Sequence, residues 1–262
     1  MKGERIITLT TDFGYKDPFV GEMKGVILSI NPSVTLVDIT HGIEPHNIEE
    51  GAFVIGSSCK YFPPGTIHIA VVDPSVGSER RPIILEADGH YFVGPDNGIF
   101  SYVMSFSQEL KVIHITEEEY MLSKDSPTFQ GRDIFAPVAA WLSRGVELDR
   151  FGCVIDDFKR FEIPLPKVKG DIISGEVIYI DRFGNAITNI RKTDLQKFGE
   201  QFCVEIKGRV IQPVKNYSQA AGRGLYCLVN SSSHLEIFVN MGSASQLFDI
   251  NKDEKVTVLK QI

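Results

Sequence analysis

An α/β fold is predicted, with an N-terminal α/β domain built on a mostly parallel sheet and a smaller C-terminal β-barrel-like domain. Three features of the sequence predict it. Short β-branched runs alternate with helical-period segments up to residue 144. Beyond residue 170 short strand signals dominate. Between the two patterns, segment 161–170 carries Pro164, Pro166 and Gly170 and reads as a linker, so domains are expected at 1–165 and 170–262. The 262 residues, 43% hydrophobic and 23% charged, are enough to bury a sizeable core.

Taken in order, residues 5–11 are apolar and β-branched, a strand. Residues 17–30 place Phe19, Met23, Val26, Ile27 and Ile30 at helical spacing and stop before Asn31-Pro32. Segment 34–40 is a strand, and 47–62 a helix ended by Pro63-Pro64-Gly65. Segment 66–72 is the next strand. Segments 83–87 and 90–93 flank Asp88-Gly89, a hairpin signal. Segment 111–116 is a strand, and 132–144 a helix with Ile134, Ala136, Val138 and Trp141 inward. Strands are then expected at 174–181, 186–190, 202–206, 210–212, 224–229, 235–239 and 255–259, with one short helix at 193–198.

Composition narrows the function. Lys plus Arg number 27 against 34 Asp plus Glu, a net charge of −7 with no basic run. The electrostatic route to nucleic acid or anionic lipid is therefore missing, whereas a cationic small ligand suits an acidic surface. No 18-residue apolar run offers a membrane span, and the first residues are too short and polar for a signal peptide. Cys59, Cys153, Cys203 and Cys227 form no CxxC and read as core residues of a reduced, cytoplasmic protein. Histidines 41, 46, 68, 90, 114 and 234 show no HxxxH spacing, so no metal site is signalled; His68 and His114 lie within strands as satisfied core or surface groups.

Several short strings can carry chemistry, and each has a plainer reading. Thr10-Thr11-Asp12-Phe13-Gly14 ends the first strand, where open α/β sheets bind ligands; Asp12 is otherwise a turn former and Asp17 a helix N-cap. In Asp73-Pro74-Ser75-Val76-Gly77-Ser78-Glu79-Arg80-Arg81, either arginine can fold back on Asp73, as a functional pair or as a loop-stabilising ion pair. Gly94-Pro95-Asp96-Asn97-Gly98 places Asn97 in a site or in a simple turn. Thr128-Phe129-Gln130-Gly131-Arg132-Asp133 opens a helix whose N–H groups suit an anion or a water, while Asp133 can merely offset the helix dipole. Asp181-Arg182-Phe183-Gly184-Asn185, Asn230-Ser231-Ser232-Ser233-His234 and Asn240-Met241-Gly242-Ser243-Ala244 read as site loops or as turns with hydroxyl caps.

Five of these strings occur in order over nearly the whole chain: Thr-Thr-Asp-Phe-Gly, Val-Val-Asp-Pro-Ser-Val-Gly-Ser-Glu-Arg-Arg, Val-Gly-Pro-Asp-Asn-Gly, Thr-Phe-Gln-Gly-Arg-Asp-Ile-Phe-Ala-Pro and Asp-Arg-Phe-Gly-Asn-Ala-Ile-Thr-Asn. Together they resemble the S-adenosyl-L-methionine hydroxide adenosyltransferases, the adenosine-forming S-adenosyl-L-methionine hydrolases related to fluorinase and chlorinase. The resemblance implies attack of water-derived hydroxide on ribose C5′, releasing methionine and leaving adenosine. It implies no cofactor and no metal, and a homotrimer with each site between the N-domain of one subunit and the C-domain of its neighbour.

Carried over by position, the resemblance makes Asp73 and Arg80 two members of the water-activating group. The third is a histidine in the family and Gln130 here. Glutamine holds a water by hydrogen bonds but takes up no proton near neutral pH, which leaves Asp73 as the evident base. Asp12 resembles the holder of the ribose hydroxyls, and Asn97 joins the substrate-binding set. Asp17 and Asp181, with Asn185 and Ser231, resemble the groups around the methionine amino and carboxylate ends. Phe183 resembles an aromatic wall, His46 stands where the halogenases carry tryptophan, and the backbone near Met241 resembles the adenine-reading stretch. The halide-side position is Gly131, which has no hydroxyl, so halogenation is disfavoured. Two rivals remain: a non-catalytic binder of adenosine or S-adenosyl-L-methionine, suggested by Gln130, and a metal-dependent phosphohydrolase using Asp12, Asp17 and Asp73.

Overall fold

A computed structural model describes residues 5–122, 128–199 and 201–261. The chain divides into two compact units, 1–163 and 164–262. The first holds a seven-stranded sheet in the order β2-β1-β3-β5-β4-β6-β7. Its strands are β1 (Ile6–Thr11), β2 (Thr35–Thr40), β3 (Ile67–Val71), β4 (Pro82–Ala87), β5 (His90–Pro95), β6 (Leu110–Ile115) and β7 (Gly152–Ile155). The helices are α1 (Phe19–Ile30), α2 (Ile48–Ser58), α3 (Ser101–Phe106) and α4 (Ala136–Ser143).

The α/β class agrees with the sequence, but the parallel run is confined to β2, β1, β3 and β5. The other three pairings are antiparallel. The Asp88-Gly89 turn explains the change of direction. Both residues take left-handed backbone angles, φ 48° and 78°, which closes a tight β4–β5 hairpin and seats β4 between β5 and β6.

Alternation along the strands sends residues to two faces. Ile7, Leu9, Ile67, Ile69, Ile84 and Ile113 pack against Met23 and Ile27 of α1 and Val138 and Leu142 of α4. Ala70, Val72, Ile83, Leu85 and Phe92 pack against Ile55 of α2 and Val103 and Met104 of α3. Trp141, expected inward, is only partly buried. His68 is buried on the second face, with Nδ1 2.8 Å from Thr8 Oγ1 and its ring stacked 5.0 Å from Phe92.

The helix expected at 132–144 begins instead as a π turn over Gly131–Phe135. Pro137 gives the reason. It has no N–H to donate to the Asp133 carbonyl, and that carbonyl accepts from Leu122 N at 2.9 Å instead.

In the second unit, β8 (Lys167–Lys169), β9 (Ile172–Ile180), β10 (Ala186–Arg191), β11 (Phe202–Ile206), β12 (Arg209–Ile211), β13 (Leu225–Val229), β14 (His234–Val239) and β15 (Lys255–Lys260) accompany α5 (Lys192–Leu195) and α6 (Ala244–Phe248). The order is β12-β11-β15-β9-β10-β14-β13, with β8 on β9, and every pairing is antiparallel. A bridge between Pro213 and Cys227, with Val214 N donating to Cys227 O at 2.8 Å, nearly closes the sheet into a barrel. Ile173, Val177, Ile190, Val204, Leu235, Ile237, Val256 and Val258 fill it. The segment read as linker thus contributes a strand, β8. Of the cysteines, all free, Cys203 and Cys227 are core residues, Cys59 is half-buried and Cys153 is exposed. Cys153 faces out because β7 is the sheet's edge strand.

Candidate active site

In the first unit the singled-out residues gather at the carboxyl ends of β1, β3 and β5. Asp12 follows β1 directly, and its Oδ2 accepts from His46 N at 2.9 Å. His46 itself is exposed, with a left-handed backbone (φ 68°) that a non-glycine residue adopts only when held there. Asp17 does not cap α1. Pro18 occupies the cap position, without a side-chain bond, and Asp17 is exposed.

Asp73 stands two residues after β3, in a loop that turns back through Gly77 (φ 83°). This turn lays Arg80, not Arg81, on Asp73. Arg80 Nε donates to Asp73 Oδ2 at 2.8 Å and Nη2 donates to the same oxygen. Ser75 Oγ donates to Oδ1 at 3.3 Å. The pair is buried, with side-chain exposures of 2% for Arg80 and 5% for Asp73. The guanidinium also lies 5.6 Å from the Phe135 ring, in the π turn. Arg81 serves elsewhere, bonding buried Asp96 through Nε and Nη2 at 3.1 and 2.8 Å and exposed Asp157 at 2.6 Å. Asn97 ties the end of β3 to the next loop, its Nδ2 donating to Val72 O at 2.9 Å and its Oδ1 accepting from Ile99 N at 3.2 Å.

Gln130 immediately precedes the π turn. The loop is fixed by Arg132, which binds Asp133 through Nε and Nη2 at 2.7 and 3.0 Å and Glu22 through Nη1 at 3.0 Å. Asp133 is therefore an ion-pair partner rather than a bare dipole charge. Phe13, Phe19 and Phe129 meet edge to face with centroids 5.2–5.9 Å apart, joining this loop to the Asp12 loop. A Cβ on Gly131 would press on Phe129 at 3.1 Å and Met23 Sδ at 3.2 Å, so glycine suits this close approach. Arg80 Nη1 and Gln130 Oε1 are buried without a hydrogen-bond partner among the described residues, as are Thr10 Oγ1, Asp38 Oδ1 and His41 Nε2. Buried polar atoms are rarely left so, and a donor and an acceptor in this condition suit a polar ligand or water.

In the second unit Asp181 holds its own turn. Its Oδ1 accepts from Phe183 N and Asn185 N, each at 2.9 Å, and Oδ2 accepts from Asn185 Nδ2 at 3.1 Å. Phe183 projects from the tip, 76% exposed. Gly184 O accepts from Ser245 N at 3.0 Å, which brings the 240–245 loop alongside and with it Met241, 96% exposed. Asp181, Phe183, Asn185 and Met241 therefore share one end of the barrel. Ser231 does not lie in that loop pair, because it precedes β14 while Met241 follows it; it is exposed in the Asn230–His234 turn, where Asn230 Oδ1 accepts from Ser232 N and His234 N. Ser243 caps α6, accepting from Gln246 N at 3.0 Å.

Asp38 and His41, which no sequence pattern singled out, also shape the first unit's site, through Thr11 of the first motif. Thr11 Oγ1 lies 2.8 Å from Nδ1 of buried His41, and His41 Nε2 lies 3.1 Å from Asp38 Oδ1. The string Asp38-Ile39-Thr40-His41 was their only signal. Among the described residues no three His, Cys, Asp or Glu groups cluster as a metal site, and no helix is long and apolar enough to cross a membrane.

Comparison with known proteins adds to this geometry. Residues 7–152 match the model of the SAM hydroxide adenosyltransferase N-terminal domain, and 175–257 that of its C-terminal domain. A protein named (R)-S-adenosyl-L-methionine hydrolase from Methanocaldococcus jannaschii is 40% identical, over 97% of this chain and 95% of that protein. A fluorinase from Actinoplanes sp. is 31% identical over 78% of each chain. The crystal structure of an uncharacterized conserved protein from Thermotoga maritima superposes with a TM-score of 0.91 at 34% identity, covering 97% of this chain and 99% of that one. With both domain models matched in order across its two units, the chain belongs to the SAM hydroxide adenosyltransferase family.

Proposed function

We propose that this protein hydrolyses S-adenosyl-L-methionine to adenosine and L-methionine. The observation that carries the proposal is the buried Asp73–Arg80 pair, whose Arg80 Nη1 is left unpartnered as is the buried Gln130 Oε1. In the proposed reaction a water oxygen bonds to ribose C5′ as the C5′–S bond breaks, and the bonding pair returns to sulfur. The sulfonium becomes the neutral thioether of methionine. The water's proton passes by way of the Asp73 carboxylate to solvent. Hydroxide and sulfonium charges cancel in the transition state, so removal from bulk water lowers the barrier when the nucleophile is held in line. The sulfonium is already an activated leaving group, which is why neither metal nor cofactor enters the proposal.

Gln130 Oε1 would accept from the attacking water, and Arg80 Nη1 would stabilise the oxygen as it becomes anionic. Asp12 would accept from the ribose hydroxyls, with His46 beside it. Asn97 would support the Asp73 loop from below. Asp181, Phe183, Asn185, Ser231 and Met241, with Asp17, form the rest of the proposed substrate set. The names of the relatives support the substrate. The homotrimer implied by the resemblance belongs to the same proposal and is tested by light scattering. The four free thiols suit the cytoplasmic location proposed with it.

Incubation with S-adenosyl-L-methionine and chromatography of the products tests the reading. Adenosine and methionine are expected in equal amounts, unchanged by a chelator. Tight calorimetric binding of adenosine with no product above the spontaneous rate would instead establish the binding protein that Gln130 suggests. Loss of activity on chelation would refute the metal-free mechanism.

A further inference from the structure

We propose that His41 acting through Thr11 is a positioning residue that aims the Asp12 carboxylate at the ribose diol. The proposal rests on the reading of Asp12 as the diol acceptor.

The placement starts with an irregularity in β2. Leu9 pairs with Asp38 but Thr10 pairs with Thr40, so Ile39 is an extra residue on β2. A bulge re-aims the residues that follow it. Here it sets the segment after β2 against the segment after β1, and four bonds lace the two together. Gly14 N donates to His41 O at 2.8 Å, and Ile43 N to Thr11 O at 3.4 Å. His46 N donates to Asp12 Oδ2, and the Thr11 hydroxyl meets His41 Nδ1.

The directions of these bonds follow from their partners. Thr11 Oγ1 accepts from Phe13 N at 3.2 Å and keeps its own proton and one lone pair for His41 Nδ1. Asp38 Oδ1, 3.1 Å from Nε2, can only accept, so the ring proton belongs on Nε2 and Nδ1 presents its lone pair to the Thr11 hydroxyl. Asp38 is held through Oδ2 by Lys24 Nζ at 2.6 Å and Tyr15 OH at 3.0 Å. Burial lowers the His41 pKa, in keeping with a neutral ring. A run of contacts thus passes from Lys24 to the backbone of Phe13 across the Asp12 loop; its Asp38–His41 step is an ion-pair contact of 3.1 Å, with neither Asp38 Oδ1 nor His41 Nε2 hydrogen-bonded among the described residues. Asp12 Oδ2 is committed to His46, while Oδ1 takes no hydrogen bond from the described residues. A buried apolar pair would fill this space equally well; a directed polar chain fixes which way the next carboxylate points.

The test compares binding of adenosine and 2′,3′-dideoxyadenosine to the full chain by calorimetry. Wild-type protein is expected to prefer adenosine by on the order of 10²-fold, since hydrogen bonds to a charged acceptor are the strong ones. Thr11→Val keeps the side-chain shape and removes the hydroxyl. It is expected to cut that preference by about tenfold or more while dideoxyadenosine binds as before. Thr11→Ser restores the hydroxyl and the preference. His41→Asn is expected to act like Thr11→Val, and should it not fold, the Thr11 pair decides alone. An unchanged preference in Thr11→Val, or equal weakening of both nucleosides, overturns the proposal. A wild-type protein that cleaves S-adenosyl-L-methionine but does not discriminate the two nucleosides removes the diol reading of Asp12, and this inference with it.

Discussion

Arg80→Met separates the charge at the site from the packing around it. Arg80 and Asp73 are side chains 2% and 5% exposed, so truncating the guanidinium leaves a carboxylate buried without its cation. Breaking a buried pair from one side costs about 3–5 kcal/mol, mostly the penalty of the stranded charge. Asp73→Asn strands the guanidinium instead and costs a similar amount. The double variant buries no charge, so its cost approaches that of one single change, and the coupling energy, the two single costs less the double, is about 3–5 kcal/mol. Urea unfolding followed by fluorescence measures it. Trp141 is the only tryptophan and sits in α4, its ring 6.2 Å from Tyr120, so it reports on the first unit alone. Single costs that sum to the double within about 0.5 kcal/mol would show that the pair is solvated and the ion-pair argument wrong.

Further outcomes follow from the same geometry. Gln130→His places a titratable base where Oε1 is unpartnered, and adenosine formation is expected to rise by about 10²–10⁴-fold; a rate within threefold of wild type counts against acid–base catalysis there. Burial, reinforced by neighbouring His90, pushes the His68 pKa from 6.5 down to about 3. The unfolded chain then binds the proton first, so stability is full above pH 6.5 and falls on acidification, by about 3 kcal/mol at pH 4.5. Denaturant titrations at both pH values should show a smaller loss in His68→Gln, and equal losses would refute the assignment. In Gly184→Ala the new Cβ would stand 2.6 Å from Ser243 Cβ on a φ of 81°, so this turn should separate from the 240–245 loop, raising KM with little change in the melting of the first unit.

The α/β class, the β4–β5 hairpin and the barrel-like second unit were legible because each rests on local pattern: alternation, Asp88-Gly89, and short strands between turns. The direction of β4, β6 and β7 was not, since pairing partners are chosen by long-range packing. The helix before Ala136 was misread because Pro137 lies near its start, where proline is common, while its effect falls on a carbonyl four residues back. At the site, folding of Arg80 onto Asp73 was one of two arginine options. The loop length through Gly77 selected between them. Asp17 as a cap failed because Pro18 takes the cap position and the helix begins at Phe19. His41 carried no signal beyond the string Asp38-Ile39-Thr40-His41, as its value comes from a bulge that periodicity does not reveal.

The wide turn at Gly131–Phe135 has a geometric corollary. An α-helix advances about 100° per residue, so one surplus residue in a single turn rotates everything upstream by about that angle relative to everything downstream. Val138 and Leu142 keep their seats on the sheet while Gln130 is swung to a bearing that a regular helix would not give it. The turn acts as a phase shifter, letting the chemistry at its head be re-aimed without disturbing the rod behind it.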